Sequence, residues 1–379
     1  MRLETFAYDS RSGWSVAAFP PIDSQRTLIV VFAGSGFADA PDPIVQLSRA
    51  YPQAKMIGCS SSGEIFGTEI SDDSLAVAVA AFDEVEVATV AARVASPDDS
   101  FAAGAQIASE LADSSLHGVF VLSDGLCVNG SELVRGLNSA LPESVVVTGG
   151  LAGDGDRFKR TWVLANRTPA PGMVTAAGLY GDSIAIGHGS KGGWDILGPE
   201  RVVTRSHGNV LFELDGKPAL ALYREYLGER ASGLPATGLL FPLAIRADDH
   251  DERHLVRTIL AVDDADQSMV FAGDIPQGWR AQLMKANSER LIGGASDAAA
   301  MARTSDDGHG PRLGLAISCV GRRLVLGERS EEEIEATLEA LPRGTQLIGF
   351  YSYGEISPFG SGWCDLHNQT MTLTTLGEL

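Results

Sequence analysis

Apolar residues come in short, dense runs that a strand would bury, at 27–32, 75–82, 85–91, 119–122, 145–148, 184–187 and 255–262. Such runs of four to eight residues, rich in Val, Ile and Leu and bounded by Gly, Pro and Asp, read as strands of a sheet covered on both faces. Between them, apolar positions recur every three to four residues at 43–51, 101–111, 131–140, 218–227, 279–288 and 331–341, which predicts helices. Ser330, before Glu331, Glu332 and Glu333, is the expected N-cap of the last helix, because its hydroxyl can accept a free backbone N–H there. The fold class that follows is α/β (α+β), with mixed β-sheet and packed helices.

One strand–helix–strand–glycine-turn unit recurs. Copies run from TLIVVFAG to AKMIGCSSSGEI, from VFVLSDG to SVVVTGGLAGDG, from SMVFAGDI through WRAQLMKANSE to RLIGGASDAA, and from LGLAISCVG to QLIGFYSYGEI. The first and last agree most closely, since Ile57-Gly58 and Ile348-Gly349 are followed at the same spacing by Gly63-Glu64-Ile65 and Gly354-Glu355-Ile356. Two related halves are expected, with a boundary near 215–220.

Charge narrows the function. Lys and Arg number 29 against 49 Asp and Glu, a net charge of −20, which phosphate backbones and anionic membranes repel. Neither a nucleic-acid nor a membrane partner is expected. The N-terminus has no secretory pattern, no apolar run approaches a membrane span, and the four cysteines Cys59, Cys127, Cys319 and Cys364 are widely spaced, so a cytoplasmic protein is the expectation.

The turns IGCSSSGEI and IGFYSYGEI offer glycines for close backbone approach, hydroxyls for a polar ligand and the acids Glu64 and Glu355, which cap backbone N–H groups if the turns are merely structural. The nucleophile elbow of serine hydrolases is missing, because the residue four after Gly58 is Ser62. GHGSKG at 187–192 has the spacing of a dinucleotide loop, yet Gly198-Pro199 opposes the helix such a loop requires. His250 and His254 have helical metal-ligand spacing inside a charged hairpin. Asp154 and Asp156 position a ligand or close a turn, and Arg322 and Arg323 grip a carboxylate or join an ion pair. His188, between two glycines, and His367, beside Asn368 and Thr370, present imidazoles to a pocket or to structural hydrogen bonds.

Taken together, the segments IGCSSSGEI, GGLAGDGDRF, VTRSHGNVLFELDGKPALALYREYLG, SCVGRR, GFYSYGEISP and LHNQTMTLTTL resemble the FIST sensory-domain family. The resemblance implies an N-terminal extension at 1–26, a FIST N-terminal domain at 27–217 and a FIST C-terminal domain at 218–379. It implies a bacterial, non-enzymatic small-ligand sensor that acts through a separate histidine kinase or cyclic-di-GMP enzyme, with a homo-oligomer compatible. The pocket or turn positions it carries over are Ser60, Gly63, Glu64, Gly153, Asp154, Cys319, Gly321, Arg322, Tyr353, Gly354, Glu355, His367 and Asn368. Stand-alone members that respond to nitric oxide through haem b have this length and layout, and there His188 or His367 is the expected iron ligand. The alternatives are a sensor of an amino acid or other small polar metabolite without haem, and an enzyme that uses the glycine-rich clefts.

Overall fold

The computed structural model describes residues 1–248, 255–304, 310–359 and 362–379. Three mixed sheets repeat one plan. In the first, parallel strands Thr27–Gly34 and Lys55–Ser61 are joined by helix Asp42–Ala50 and flanked by antiparallel Ser74–Ala81 and Arg2–Asp9. The second sets Leu116–Ser123 parallel to Val146–Leu151 around helix Gly130–Asn138, with antiparallel Met173–Tyr180 and Glu86–Arg93 beyond. The third sets Arg312–Cys319 parallel to Thr345–Ser352, with helices Val320–Leu326 and Ser330–Ala340 between them and antiparallel Met371–Glu378 and Ile184–Lys191 outside. The two-part layout therefore contains a unit that runs three times, twice within the N-terminal part and a third time in the C-terminal part, which borrows its outer strand Ile184–Lys191 from the N-terminal part.

Each unit lends a short strand to its neighbour. Glu64–Phe66 pairs with Thr345–Ser352, Gly354–Pro358 pairs with Val146–Leu151, and Val163–Ala165 pairs with Lys55–Ser61, which closes a ring. Where the three chains cross, the Ser62 N–H donates to the Tyr351 carbonyl at 2.8 Å, the Gly153 N–H to Ser60 at 3.0 Å and the Tyr353 N–H to Leu151 at 3.1 Å. These bonds are cyclically equivalent and define a pseudo-threefold axis. Leu28, Val30 and Phe32, Phe120 and Leu122, and Leu315, Ile317 and Phe350 meet around it in one core, with Phe32 stacked on Phe350 at 4.6 Å.

The glycines of the repeat act inside the strands. A Cβ at Gly58, Gly149 or Gly349 would stand 2.4, 1.8 or 2.1 Å from the carbonyl of Val31, Val121 or Ala316 on the paired parallel strand. No side chain fits at that distance, so the motif marks close strand approach. Gly58 and Gly349 thus supply the close backbone approach that the sequence predicts, but from within strands rather than from a turn.

Three of the four sequence copies fold as expected, and the one at 268–299 does not. The spacing predicts a helix over 279–288, but Arg280–Ala286 is a strand whose Ala281 and Leu283 alternate into the core with period two. The helix follows at Ser288–Met301, capped by Asn287, whose side chain accepts the Arg290 N–H at 3.3 Å. Arg280–Ala286 belongs to a fourth, antiparallel sheet with Trp194–His207 at its centre, inserted into the third unit. This insertion has its own core of Val203, Leu211, Tyr223 and Phe271. Ser330 is also not an N-cap: Arg329 holds that position, and the Ser330 hydroxyl donates to the Gly327 carbonyl at 2.7 Å. Residues 1–26 contribute strand Arg2–Asp9 to the first sheet, in register from Arg2 opposite Ala81 to Asp9 opposite Ser74.

Candidate functional site

Beside the pseudo-threefold axis lies a cavity of about 540 Å³, bordered by Ser61, Ser62, Glu64, Asp72, Asp73, Asp156, Arg157 and Arg323. Its walls come from both parts of the chain. The strand end at Ser61 and the strand opening at Glu64 bring the serines and the acid, the loop after Val146–Leu151 brings Asp156 and Arg157, and one face of helix Val320–Leu326 brings Val320, Arg323 and Leu324.

Glu64 is buried, and its Oε2 accepts the Ser74 N–H and hydroxyl, both at 2.9 Å. Its Oε1 is buried with no hydrogen-bond partner. Burial pushes its pKa up to about 7, against the Ser74 hydrogen bonds that favour the carboxylate. An acid poised there changes charge near neutrality and has one oxygen still to satisfy.

Two arginines differ in how far they are committed. Arg323 donates to the Ser62 carbonyl at 2.6 Å and bidentately to Asp72 at 2.7 and 2.9 Å, with its guanidinium 5.5 Å from the Tyr351 ring centre. Gly63 makes room for it, since a Cβ there would stand 2.3 Å from the Arg323 Nη1. Arg157 is half exposed, donates to the Ser35 hydroxyl at 3.2 Å and stands 4.0 Å from Asp154. Its charge is available to an anion in the cavity.

The remaining expected positions serve the framework around the cavity. The Ser60 hydroxyl accepts the Trp162 N–H at 3.1 Å, and Gly153 lies so close to Ser62 that a Cβ would sit 2.2 Å from its Oγ. Asp154 is fully buried, accepts the Lys159 and Arg160 N–H groups at 3.0 and 2.9 Å, and takes the Tyr353 hydroxyl. Tyr353 stacks on Phe158 at 4.8 Å, and Gly354 lies opposite Leu151 in the strand pair. Tyr351, fully buried, bonds Glu333 at 3.2 Å. Cys319 is buried at the start of helix Val320–Leu326, where burial pushes its thiol far up, and Gly321 leaves space for the Gln369 amide.

Arg322 does not reach the cavity. It is wholly buried in an ion pair with Glu333 at 2.5 Å and also donates to the carbonyls of Leu291 at 2.7 Å and Gly192 at 3.1 Å. The two arginines read together from the sequence thus part, because adjacent positions on a short helix face different ways. Glu355 is sealed too: Ser352 donates to it at 2.6 Å and Thr370 through its hydroxyl at 2.9 Å, while burial pushes its pKa up to about 8.

His367 and Asn368 border a different, smaller cavity of about 280 Å³, together with Lys191 and Trp194. Asn368 accepts the Thr258 N–H at 3.2 Å. The His367 Nε2 is 2.9 Å from the Ser357 carbonyl, to which only an N–H donates, and Phe359 lies 4.3 Å from its ring. His188 is not among the residues bordering that cavity, and its Nδ1 is buried without a partner. Burial pulls both imidazole pKa values down. These surroundings do not fit an iron porphyrin: the Nε2 of His367 is taken by a carbonyl with a phenyl against the ring, and His188 does not border that cavity. Among the described residues no group of three or more His, Cys, Asp or Glu side chains could hold a metal ion. His250, His254 and His309 lie outside the described residues.

Sequence reasoning missed Arg157, Asp72 and Leu324. Asp72 and Leu324 have no distinguishing pattern, whereas Arg157 stands inside the GGLAGDGDRF segment. No helix among the described residues is long and apolar enough to cross a membrane.

No curated protein sequence matches the chain. Among solved structures it is similar to a cyanuric acid hydrolase from A. caulinodans with a TM-score of 0.38 at 11% identity, covering 100% of this chain and 98% of that one, a likeness too distant to carry an argument. Family models match far better in kind, with a FIST N domain over residues 27–217 and a FIST C domain over residues 219–358. The tandem spans most of the sequence, and the protein belongs to the FIST family, whose domains are associated with signal transduction and small-ligand sensing.

Proposed function

We propose that this protein is a non-enzymatic sensor of a small zwitterionic metabolite, of the amino-acid kind, held in the cavity of about 540 Å³ and reported to a separate signalling protein such as a histidine kinase or a cyclic-di-GMP enzyme. The observation that carries the reading is the unpartnered, buried Oε1 of Glu64 in the same cavity as the half-exposed Arg157. A ligand ammonium satisfies the first and a ligand carboxylate the second, each as a charge-assisted hydrogen bond. The volume lies in the range of small-molecule sites. Both parts of the chain line the cavity, and Arg323 already ties them through Asp72, so a ligand that engages this charge network changes how the two parts are held.

Isothermal titration of the purified protein with glycine, alanine, leucine, glutamate and arginine tests the reading. Binding by at least one of them, weakened about tenfold or more by Arg157→Ala and by Glu64→Gln, is expected. If none binds, or if both variants bind like wild type, the reading fails. The absorbance spectrum of the same preparation addresses the haem alternative, for which a Soret band abolished by His188→Ala or His367→Ala is the supporting result.

A further inference from the structure

The cavity at Glu64 does not end at its polar walls. Leu324, 41% exposed on helix Val320–Leu326, borders it and also borders a second hollow of about 530 Å³. That second hollow lies between the helix and the inserted sheet. Its lining is largely apolar: Leu197, Leu240, Phe241 and Ala286 from the insertion, and Leu324 and Val325 from the helix. Arg230 and Lys285 stand at its edge, with the Arg230 guanidinium 5.5 Å from the Phe241 ring centre. Arg230 is thus held over an aromatic face, where its stem adds to the apolar wall.

An exposed leucine on a surface of net charge −20 needs no explanation by itself. A leucine that lines both a charged cavity and an apolar groove is another matter, because it sets the two against one side chain. We infer that the ligand is amphiphilic: its charged head sits with Glu64 and Arg157, and an apolar side chain crosses Leu324 to lie along Leu240, Phe241 and Val325. This deepens the sensor reading and rests on it. It also gives the insertion a part in recognition, since Leu197, Leu240, Phe241 and Ala286 all line the groove. A bound side chain would then bridge the insertion and the threefold core.

The consequence is selectivity by side-chain length. Each methylene laid in a groove covers apolar surface, and roughly 0.8 kcal/mol per fully buried CH₂ corresponds to about two- to fourfold in affinity when half to all of it is covered. The test is titration of wild-type protein with glycine, L-2-aminobutyrate, L-norleucine and L-2-aminooctanoate, repeated with Leu324→Ser, Val325→Ser and Arg157→Ala. Affinity should climb along the series in wild type and in Arg157→Ala, which lowers every member alike, and the climb should flatten in the two serine variants. Leu324 is exposed, so its variant folds and reports on the groove directly. A flat series in wild type overturns the inference while binding of glycine keeps the sensor reading. Absence of binding by all four overturns both. A climb that survives Leu324→Ser and Val325→Ser places the side chain elsewhere and overturns the inference alone.

Discussion

Glu64 and Glu355 are one position of the repeat in two environments. Each opens a strand that crosses to the neighbouring sheet, Glu64 opposite Phe350 and Glu355 opposite Gly150. Each carboxylate also takes the N–H and hydroxyl at the start of its returning strand, from Ser74 in one case and Thr370 in the other. At the third equivalent position, opposite Cys59, stands Val163. The acid is therefore not needed to build the crossing. What separates the pair is that the second oxygen of Glu355 is taken by Ser352, whereas that of Glu64 is left without a partner at a cavity wall.

Glu355 should make the protein less stable as pH rises. Its pKa stands at about 8 in the fold against 4.5 in a free side chain, so the folded state binds more protons than the unfolded state between those values. Stability then falls from about pH 4.5 to about pH 8, by a few kcal/mol, and levels off above. Glu355→Gln keeps the shape without the charge and should remove its share of that fall, with a gain in thermal midpoint at pH 8, and leave the smaller share that Glu64 contributes up to about pH 7. Thermal melts of both proteins from pH 5 to pH 9 check this, and parallel curves would show that the carboxylate is already ionised in the fold.

Gly153→Ala should be costly. The new Cβ would stand 2.2 Å from the Ser62 Oγ and 3.2 Å from the Tyr351 carbonyl, at the ring of bonds that joins the three units. Overpacking of this kind costs about 1–3 kcal/mol, and the ring leaves little room to relax. Ser62→Ala removes the nearer atom, so the double variant should recover part of the loss in a urea melt. A double variant no more stable than Gly153→Ala would show that the backbone, rather than Ser62, sets the limit.

How much of this was legible depends on which rule each segment obeys. Parallel strands buried on both faces, such as Thr27–Gly34, declare themselves as apolar runs, and the repeated glycines mark the places where those strands pack backbone to backbone. That the unit runs three times was harder to see, because the copy at 116–180 carries Val163 where the others carry glutamate and separates it from Gly149 by a longer loop. The stretch at 279–288 misled because Trp, Leu, Met and Lys suit a helix locally, while pairing with Trp194–His207 decides for a strand. Glu64 was legible as a site residue through its motif, but the burial of Arg322 was not, because its partners Glu333, Leu291 and Gly192 are distant in the sequence.

Arg322 should matter to stability and not to ligand binding. Removing one member of a buried ion pair leaves the other charge uncompensated, at a cost of about 3–5 kcal/mol. Arg322→Met should lower the thermal midpoint by many degrees, and the added change Glu333→Leu should restore much of it. Titration of the folded double variant should match wild type, because neither residue borders the cavity at Glu64. Loss of binding in that variant would return Arg322 to the site.

The pH dependence of binding isolates Glu64. A ligand ammonium gains from the carboxylate and loses to the protonated acid, and burial holds the pKa at about 7. Below that value the affinity of an amino acid should rise by up to about tenfold per pH unit, and above it the curve should level, since the site is already charged. Binding itself should pull the pKa down, with release of a proton that calorimetry in buffers of different ionisation enthalpy detects. Glu64→Gln should bind more weakly and with no slope between pH 5.5 and pH 7.5. Arg157→Ala should shift the whole curve down and keep its shape, because an arginine stays charged across that range. Asp72 is the nearest competing acid, and the Arg323 bonds hold its pKa below the usual value, so it does not titrate in this window. A wild-type affinity that stays flat from pH 5.5 to pH 7.5 would show that the unpartnered oxygen of Glu64 does not meet the ligand.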